Sequence, residues 1–356
     1  MNESLSSLGL LMAGATSVSN VVKDVGAKKV LDHQEVIAST FWIRLFAAVV
    51  FIGALLVRGL AGTIPTVRGG GPLFGIEAWQ LTPIPTWLIY LSIEVILVAC
   101  STILFFRAIQ ISPISLCMPY ISFTPVFLIV TGYVMLGELP AAQKLIGVVL
   151  IFIGSIAMHR VLLAAGWLEP VKAIWRERGC LYMLLVGFIN SITNPIDKKL
   201  VGMTDAFTQA CAFGVGMVVF FSILAFARRA DTRHVIRTVP GWVMLAGTLE
   251  AVALLFQLSS HNYIDVVITI SIKRAGIVLT VLLGWLVFKE RDIGDKLIAA
   301  SVMLIGVLII YLPLTFIQGL MIATTAVAGM VVALYFTRTR AQAVSSVKAD
   351  PALTEG

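Results

Sequence analysis

The chain has 356 residues, of which 59% are hydrophobic and 13% are charged, and its formal net charge at pH 7 is +7. A soluble domain is about 25% charged, so this composition excludes a water-soluble protein and indicates an integral membrane protein. The basic residues lie in short segments between apolar runs, which is typical of multi-pass membrane proteins and argues against a nucleic-acid partner.

Eleven apolar runs are candidate spans, because a spanning helix needs about 20 mostly apolar residues. In chain order they cover residues 4–22, 36–58, 86–108, 114–136, 143–164, 179–199, 207–227, 241–260, 264–288, 296–312 and 314–336. Polar residues interrupt the first and sixth runs, and the longest connection, 58–85, is rich in Gly and Pro and is expected to be an exposed loop. We predict an all-α membrane bundle of ten transmembrane helices, an eleventh hydrophobic helix over 313–336 and a disordered tail over 337–356.

The two halves of the chain share short motifs in the same order. The matching segments are 17–30 with 191–201, 91–99 with 247–255, 114–138 with 266–290 and 144–158 with 296–310. In the last pair, KLIGVVLIFIGSIAM aligns without gaps with KLIAASVMLIGVLII. We infer a duplicated unit of five helices, with one copy at 4–164 and the other at 179–312. Because five is an odd number, the second copy is expected to be inverted, as in many secondary transporters.

The chain resembles the drug/metabolite transporter superfamily, in its EamA-type branch. The resemblance is carried by SNVVKDVGAKK after the first span, LGELPAAQKLIGVVLIFIG at 136–154 and FKERDIGDKLIAASVMLIGVLII at 288–310, and it covers residues 5–312. It implies a bundle of ten helices with a central cavity. The motif IKR in the ninth span is similar to the Lys-Arg pair of the sugar-phosphate/phosphate translocator branch. This likeness implies that Lys273 and Arg274 bind the acid group of a substrate.

Lys273 and Arg274 also stand out on physical grounds, because a cation at the centre of a spanning helix costs about 2.5–3.5 kcal/mol. Adjacent helical positions point about 100° apart, so one side chain can bind a substrate while the other meets a counter-ion. Two interpretations stay open. The pair forms an anion-binding site, or Glu94 and Glu250 neutralise it and lock the helices together. Glu94 and Glu250 are also candidate carriers of a coupling proton.

Other polar residues in the spans are candidates for the same site. Four polar residues sit at the ends of the weak first and sixth spans, where they either line a substrate cavity or hydrogen-bond between helices: Asn20, Lys23, Asn190 and Asn194. Tyr120 either lines the cavity or packs in apolar surroundings. We include all five residues in the predicted substrate-binding set.

We expect no metal, no cofactor and no enzymatic activity. The four histidines lack metal-ligand spacing, and the sequence contains no nucleotide-binding or hydrolase motif. The expected function is secondary transport, by proton coupling or antiport, of a small anionic metabolite that bears a phosphate or carboxylate. We expect a multi-pass protein of the bacterial inner (plasma) membrane. Its expected partners are the small-molecule substrate and membrane lipid, and a homodimer stays open.

Two alternative functions remain at this stage. One is export of amino acids or amphipathic compounds, with Lys273 and Arg274 in a structural role. The other is a flippase for a lipid-linked phosphate, with the same pair binding the headgroup.

Overall fold

The computed structural model describes residues 3–31, 35–60, 67, 71–73, 76–81, 83–112, 118–157, 176–276, 279 and 294–349. Over these residues the chain is almost entirely helical, which confirms the predicted fold class. The helices, numbered in chain order, are α1 (Glu3–Leu31), α2 (Val36–Leu60), α3 (Pro83–Ile111), α4 (Thr124–Leu136), α5 (Ala142–Ala157), α6 (Arg178–Met203), α7 (Ala206–Arg228), α8 (Thr232–Thr238), α9 (Pro240–Ser260), α10 (Val266–Ala275), α11 (Gly294–Tyr311) and α12 (Phe316–Ala349). A short 3-10 helix, Met118–Phe123, leads directly into α4.

Two short strands, β1 (Gly71–Leu73) and β2 (Ile76–Leu81), pair antiparallel between α2 and α3. Gly71 pairs with Leu81, and the register shifts after Pro72. The sequence analysis expected only an exposed loop in this connection. The flanking Gly and Pro residues suggested a loop, although the segment IEAWQL at 76–81 contains Ile and Trp, which favour strands.

Six of the described helices are long and apolar enough to cross a membrane. They are α2, residues 84–108 of α3, α6, α7, α9 and residues 316–333 of α12. Shorter apolar helices cover residues 120–136, 142–157 and 297–311. These helices support a protein that crosses the membrane several times.

Two helix boundaries differ from the sequence analysis. The last helix, α12, continues to Ala349, although disorder was predicted from residue 337. The added segment is rich in Ala, Arg, Gln and Lys, which favour helix, and the next proline is Pro351. The described part of α10 ends at Ala275, whereas the predicted span runs to 288. Residues 114–117, 158–164, 277–278 and 280–288 of the predicted spans, and 350–356 of the predicted tail, lie outside the described residues.

Most contacts between helices occur twice, once in each direction between the two predicted repeats. Under the sequence matches, α1, α2, α3, α4 and α5 correspond to α6, α7, α9, α10 and α11. The contact between α1 and α9 then has a counterpart in the contact between α6 and α3. Likewise, the contact between α2 and α9 has a counterpart in the contact between α7 and α3. Three further contacts join a helix to its own counterpart: α2 with α7, α4 with α10, and α5 with α11. This is the contact pattern of two copies related by a two-fold axis.

The crossing of α5 and α11 shows the same relation at the level of residues. A Cβ atom on Gly147 would lie 2.5 Å from the carbonyl oxygen of Gly306, and one on Gly154 would lie 2.9 Å from that of Ala299. In the ungapped alignment Gly147 corresponds to Ala299 and Gly154 to Gly306, so exchanging the copies turns one contact into the other. The order of the contacts makes the two helices antiparallel, which is the arrangement expected of an inverted repeat. Small residues allow this close approach of the backbones.

We predict that Gly147→Ala destabilises the protein, although a Gly→Ala change inside a helix usually stabilises it by about 0.5–1 kcal/mol. The added methyl group would overlap the carbonyl oxygen of Gly306, and overpacking of this kind costs about 1–3 kcal/mol. Gly53 of α2 is the matched control, because a Cβ there would meet nothing within 4 Å. Thermal unfolding in detergent should shift down for Gly147→Ala and not for Gly53→Ala. Equal shifts would contradict the close crossing.

Candidate substrate-binding site

Each half of the chain places one glutamate at the same position of a counterpart helix. Glu94 of α3 and Glu250 of α9 align in the matched segments 91–99 and 247–255. Glu94 is 1% exposed, and the side chain of Glu250 is 18% exposed. A carboxyl group buried in a membrane bundle needs hydrogen-bonding or charged partners. The two glutamates have different ones.

Glu250 is held by two cations. The Nη1 of Arg44, on α2, donates to Glu250 Oε1 at 2.7 Å, and Lys23 Nζ, on α1, lies 3.4 Å from Glu250 Oε2. All three side chains are less than one fifth exposed. The sequence analysis had considered Glu250 as the counter-ion of Lys273 and Arg274. In the structure its direct ion-pair partners are Lys23 and Arg44, and Lys273 also interacts with it electrostatically.

Glu94 is held by an amide and a second carboxyl group. The Nε2 of Gln209, on α7, donates to Glu94 Oε2 at 2.8 Å. The Oε1 of Gln209 accepts from Trp87 Nε1 at 3.2 Å, which fixes the orientation of the amide. On the other side, the carboxyl group of Asp197, on α6, is in hydrogen-bonding contact with that of Glu94. Asp197 is 7% exposed and interacts electrostatically with Lys273 of α10.

The two glutamate clusters are counterparts with opposite charge. Matching SVSN at 17–20 with SITN at 191–194 aligns Lys23 with Asp197, and each of these lies beside the glutamate of the other half. The remaining partners, Arg44 and Gln209, come from the counterpart helices α2 and α7. One cluster therefore combines two cations with one carboxylate, and the other combines two carboxyl groups with an amide. The scaffold is symmetric, but its charges are not.

A chain of hydrogen bonds holds Lys273 on the buried face of α10. Its Nζ donates to Gln257 Oε1, on α9, at 2.7 Å. The Nε2 of Gln257 donates to Asn194 Oδ1, on α6, at 3.1 Å, and the Nδ2 of Asn194 donates to the carbonyl oxygen of Asn190. Gln257 and Asn194 are both buried. The structure thus joins Lys273 and Asn194, which the sequence analysis selected, through Gln257, which it did not.

Arg274 points to a different helix from Lys273. Its Nη2 donates to Thr124 Oγ1, at the start of α4, at 3.4 Å. The two cations therefore diverge, as expected of adjacent positions on a helix. Ser17 of α1 anchors the same turn of α10, because its Oγ donates to the carbonyl oxygen of Ile272 at 2.7 Å.

Lys198 and Glu138 link three further segments close to this site. Lys198 Nζ donates to the carbonyl oxygen of Ile264 at 3.0 Å and lies 2.5 Å from Glu138 Oε1. The Oε2 of Glu138 accepts from the backbone N–H of Val266, the first residue of α10, at 3.3 Å. A carboxylate at this position satisfies a free N–H and complements the helix dipole.

His261, directly after α9, is fully buried. Neither ring nitrogen has a hydrogen-bond partner among the described residues. The ring lies within electrostatic reach of Lys198 and Lys273, and burial beside two cations favours a neutral imidazole. A buried polar group without a partner costs about 1–3 kcal/mol. His261 is therefore a group with unused hydrogen-bonding capacity beside Lys273.

The family model for the EamA-like transporter family matches residues 7–159 and 177–312. The chain belongs to the EamA-like transporter family. It is therefore a multi-pass membrane transporter of a small molecule, and the EamA-type resemblance stated from the sequence is confirmed. A solved crystal structure, described only as that of a protein, shares 14% identity and a TM-score of 0.62 over 85% of this chain and 96% of its own. At that identity the likeness concerns the fold alone. No curated protein matches the chain.

Three predicted side chains of this EamA-like transporter lie apart from the Lys273 network. Asn20 Nδ2 donates to the carbonyl oxygen of Thr16 on its own helix at 2.9 Å. The Oδ1 of Asn190 accepts from Ser101 Oγ, on α3, at 2.9 Å, so this side chain links α6 to α3. Tyr120 is buried in an apolar cluster and stacks on Phe123.

Pro195 interrupts the hydrogen bonding of α6 next to Asn194 and close to Asp197. Proline has no N–H for the carbonyl of Ser191, four residues earlier. The Oγ1 of Thr131, on α4, donates to that carbonyl oxygen at 2.6 Å. A hydroxyl from a neighbouring helix thus satisfies the freed group, as is usual for proline inside membrane helices. The helix can therefore present Asn194 and Asp197 on either side of Pro195.

Five residues of the site were missed in the sequence analysis: Arg44, Asp197, Gln209, Gln257 and His261. Arg44, Gln209 and Gln257 are isolated polar residues within apolar runs, which is the signal that singled out Glu94 and Glu250. The alignment of Lys23 with Asp197 was a second signal. His261 was dismissed because it has no metal-ligand spacing, a criterion that does not test for a substrate contact.

Two surface grooves of the EamA-like transporter lie away from the buried polar network. One is lined by residues 238–242 and Leu245, and the other by Arg107, Arg176 and neighbouring residues. The site described above is therefore defined by buried charge rather than by a groove.

We predict that Arg44→Met destabilises the protein far more than Arg58→Met. Both arginines make an ion pair of 2.7 Å, but Arg44 and Glu250 are 14% and 18% exposed, whereas Arg58 and Asp205 are 30% and 34% exposed. Removing one partner of a buried pair costs about 3–5 kcal/mol, and an exposed pair contributes about 0–1 kcal/mol. Thermal unfolding in detergent, with expression level as a second readout, measures the difference. A comparable loss in both variants would show that Glu250 does not depend on Arg44.

Proposed function

We propose that this EamA-like transporter carries a small anionic metabolite, bearing a phosphate or a carboxylate, by alternating access. Lys273 and Arg274 are proposed to bind its acid group, with Asn194 and Gln257 positioning Lys273. The protein is proposed to act in the plasma membrane of a bacterium, because its Lys-Arg pair resembles that of bacterial EamA-type chains.

The observation that carries this proposal is the divergence of the two cations. Lys273 reaches α9 and, through Gln257, α6, whereas Arg274 reaches Thr124 on α4. An acid group bound between them would contact both sequence repeats at once. Its affinity would then depend on how the helices are arranged, and this dependence lets a substrate shift a conformational equilibrium.

The partners of Glu250 also favour an anion. Lys23 and Arg44 already neutralise this carboxylate, so Glu250 is not dedicated to Lys273. This weakens the alternative in which the Lys-Arg pair is only a structural lock. Arginine and lysine side chains that are buried and face hydrogen-bond acceptors are suited to carboxylate or phosphate.

The helix contacts favour moving bodies that differ from the sequence repeats. We define body A as α1, α2, α9 and α10, and body B as α3, α4, α6 and α7. The buried partners of Glu250 lie within body A, and those of Glu94 lie within body B. Rocking one repeat against the other would break both clusters, whereas rocking body A against body B keeps them.

The bonds that join the two bodies are those of the candidate site. They are Gln257 to Asn194, Arg274 to Thr124, Lys198 to the carbonyl oxygen of Ile264, and Glu138 to the N–H of Val266. A further link between the bodies, the ion pair of Arg58 with Asp205, lies outside the candidate site, near the surface. We propose that these bonds exchange when the site opens to the other side of the membrane. Secondary transporters with inverted repeats place their substrate at such an interface.

We predict that Lys273→Ala and Arg274→Ala each weaken anion binding by about 10- to 100-fold, the loss expected for a charged hydrogen bond worth about 1.5–3 kcal/mol. Thermal stabilisation of the purified protein is measured with inorganic phosphate, glucose 6-phosphate, succinate and a polyprenyl phosphate, beside neutral and cationic compounds. Lys199→Ala is the matched control, because Lys199 also lies on a buried helix but donates to Tyr90 Oη at 2.8 Å.

Each pattern of stabilisation has a distinct meaning. Stabilisation by soluble anions in the wild type and the Lys199 variant, but not in the Lys273 and Arg274 variants, supports the proposal. Stabilisation only by neutral or cationic compounds would overturn it in favour of an exporter of amphipathic compounds. Stabilisation only by the polyprenyl phosphate would favour a lipid flippase.

A further inference from the structure

We propose that Glu94 and Asp197 form a proton-binding pair that is linked to an anion at Lys273, so that the transporter moves a proton together with its anion. The inference rests on the proposed function and adds the coupling ion to it. It is carried by the contact between the two carboxyl groups, by their position relative to Lys273, and by an independent observation at His261.

The contact between Glu94 and Asp197 requires a proton. An ionised carboxylate only accepts hydrogen bonds, so two carboxyl groups can hydrogen-bond each other only if one of them is protonated. Two ionised carboxylates in contact would also repel each other strongly in a buried site. Both residues are more than nine-tenths buried, and Gln209 donates its amide N–H to Glu94. The pair therefore holds at least one proton in the described state, and the interaction of Asp197 with Lys273 favours one remaining negative charge.

Lys273 balances the remaining charge of the pair. It interacts electrostatically with Asp197 across the boundary between body A and body B. In the counterpart cluster Lys23 and Arg44 supply cations directly to Glu250, which Lys273 also reaches electrostatically. Where the other repeat has the cation Lys23, this repeat has Asp197. The negative charge of the carboxyl pair therefore depends on Lys273 for its compensation.

A second observation, independent of the carboxyl groups, points to a ligand beside Lys273. His261 is fully buried, and both of its ring nitrogens lack a hydrogen-bond partner among the described residues. Its ring lies near Lys273 and Lys198. An acid group on Lys273 would accept a hydrogen bond from this imidazole and relieve the cost of leaving it unpaired.

The other charged groups of the neighbouring helices that lie in the bundle are paired, whereas Arg107, Arg178 and Arg228 lie at or near the ends of α3, α6 and α7. On α6, Lys198 pairs with Glu138, and Lys199 donates to Tyr90 of α3. Asp205, at the start of α7, pairs with Arg58, and Glu250 of α9 pairs with Lys23 and Arg44. The charged residues of α10 are Lys273 and Arg274. The segment Thr124–Leu136 of α4 contains no charged residue. The charge that acts on the carboxyl pair is therefore that of Lys273.

The coupling follows from competition for Lys273. When an anion binds Lys273, the negative charge of the pair loses its compensation, and the pair takes up a second proton on the ionised carboxylate oxygen. The anion and this proton then cross together, and both leave on the other side as Lys273 returns to Asp197. For a monoanion the charge beside Lys273 balances, because the negative charge that the pair loses on protonation is replaced by that of the anion. The second charge of a dianion is balanced by Arg274. The anion and the proton move in the same direction.

The first test needs no substrate. Infrared difference spectroscopy of the purified full chain at neutral pH should show the C=O stretch of a protonated carboxyl group. Glu94→Gln and Asp197→Asn should each remove this band, and Asp205→Asn should not, because Asp205 is paired with Arg58 near the surface. A spectrum without the band in the wild type would overturn the proton-binding pair.

The second test measures the coupling itself. Wild-type protein in weakly buffered detergent should take up about one proton per bound anion when inorganic phosphate, glucose 6-phosphate or succinate is added, after correction for the protonation of the probe. In proteoliposomes, an inward proton gradient should accumulate the same probe. Asp197→Asn should lose gradient-driven accumulation by at least about tenfold, yet still exchange labelled for unlabelled probe. Glu94→Gln serves as the second variant.

The outcomes separate this inference from the proposed function. Anion binding and exchange without proton uptake would overturn the coupling and leave the anion transporter intact. Loss of both accumulation and exchange in two correctly folded variants would mean that the pair acts on binding rather than on coupling, which also contradicts the inference. Absence of binding by every anion would reject the proposed function, while the infrared band would still decide whether the pair holds a proton.

Discussion

A charge inside a membrane bundle must be neutralised by the protein itself, and this constraint organises the centre of the transporter. Each half contributes one buried glutamate at the same place. Glu250 is neutralised by Lys23 and Arg44, whereas Glu94 lies against Gln209 and a second acid, Asp197. A buried ion pair with two cations resists rearrangement, because separating it exposes uncompensated charge. A carboxyl pair that shares a proton can change its charge without breaking a salt bridge.

The duplicated scaffold rests on close backbone contact rather than on charge. Lipid is as apolar as leucine, so helices in a membrane associate through tight packing and hydrogen bonds more than through the hydrophobic effect. Gly147 and Gly154 of α5 meet Gly306 and Ala299 of α11 so closely that a single methyl group has no room. In this antiparallel crossing, α5 makes the same contacts with α11 as α11 makes with α5. It leaves the polar residues of the other helices free to diverge between the copies.

The sequence predicted those features that depend on local signals. Runs of apolar residues revealed most helices, and matched segments revealed the duplication, Glu94, Glu250 and the cation pair. The partners were harder to predict, because Arg44 meets Glu250 and Gln209 meets Glu94 across more than a hundred positions of sequence. The alignment of Lys23 with Asp197 shows that the repeat held a further signal for the site residues. Comparing the copies for differences in charge, and not only for likeness, would have selected Asp197.

The division of hydrogen bonds between the bodies explains why the asymmetry matters for transport. The links of Glu250 stay within body A and those of Glu94 stay within body B, so both clusters can persist while the bodies move. Lys273 belongs to body A and acts on Asp197 in body B. Any motion that separates the bodies, or any anion that engages Lys273, therefore changes the charge balance of the carboxyl pair. A symmetric protein with a cation at position 197 would neutralise Glu94 permanently and lose this link. In the coupling that we propose, Asp197 thus makes the proton depend on the substrate.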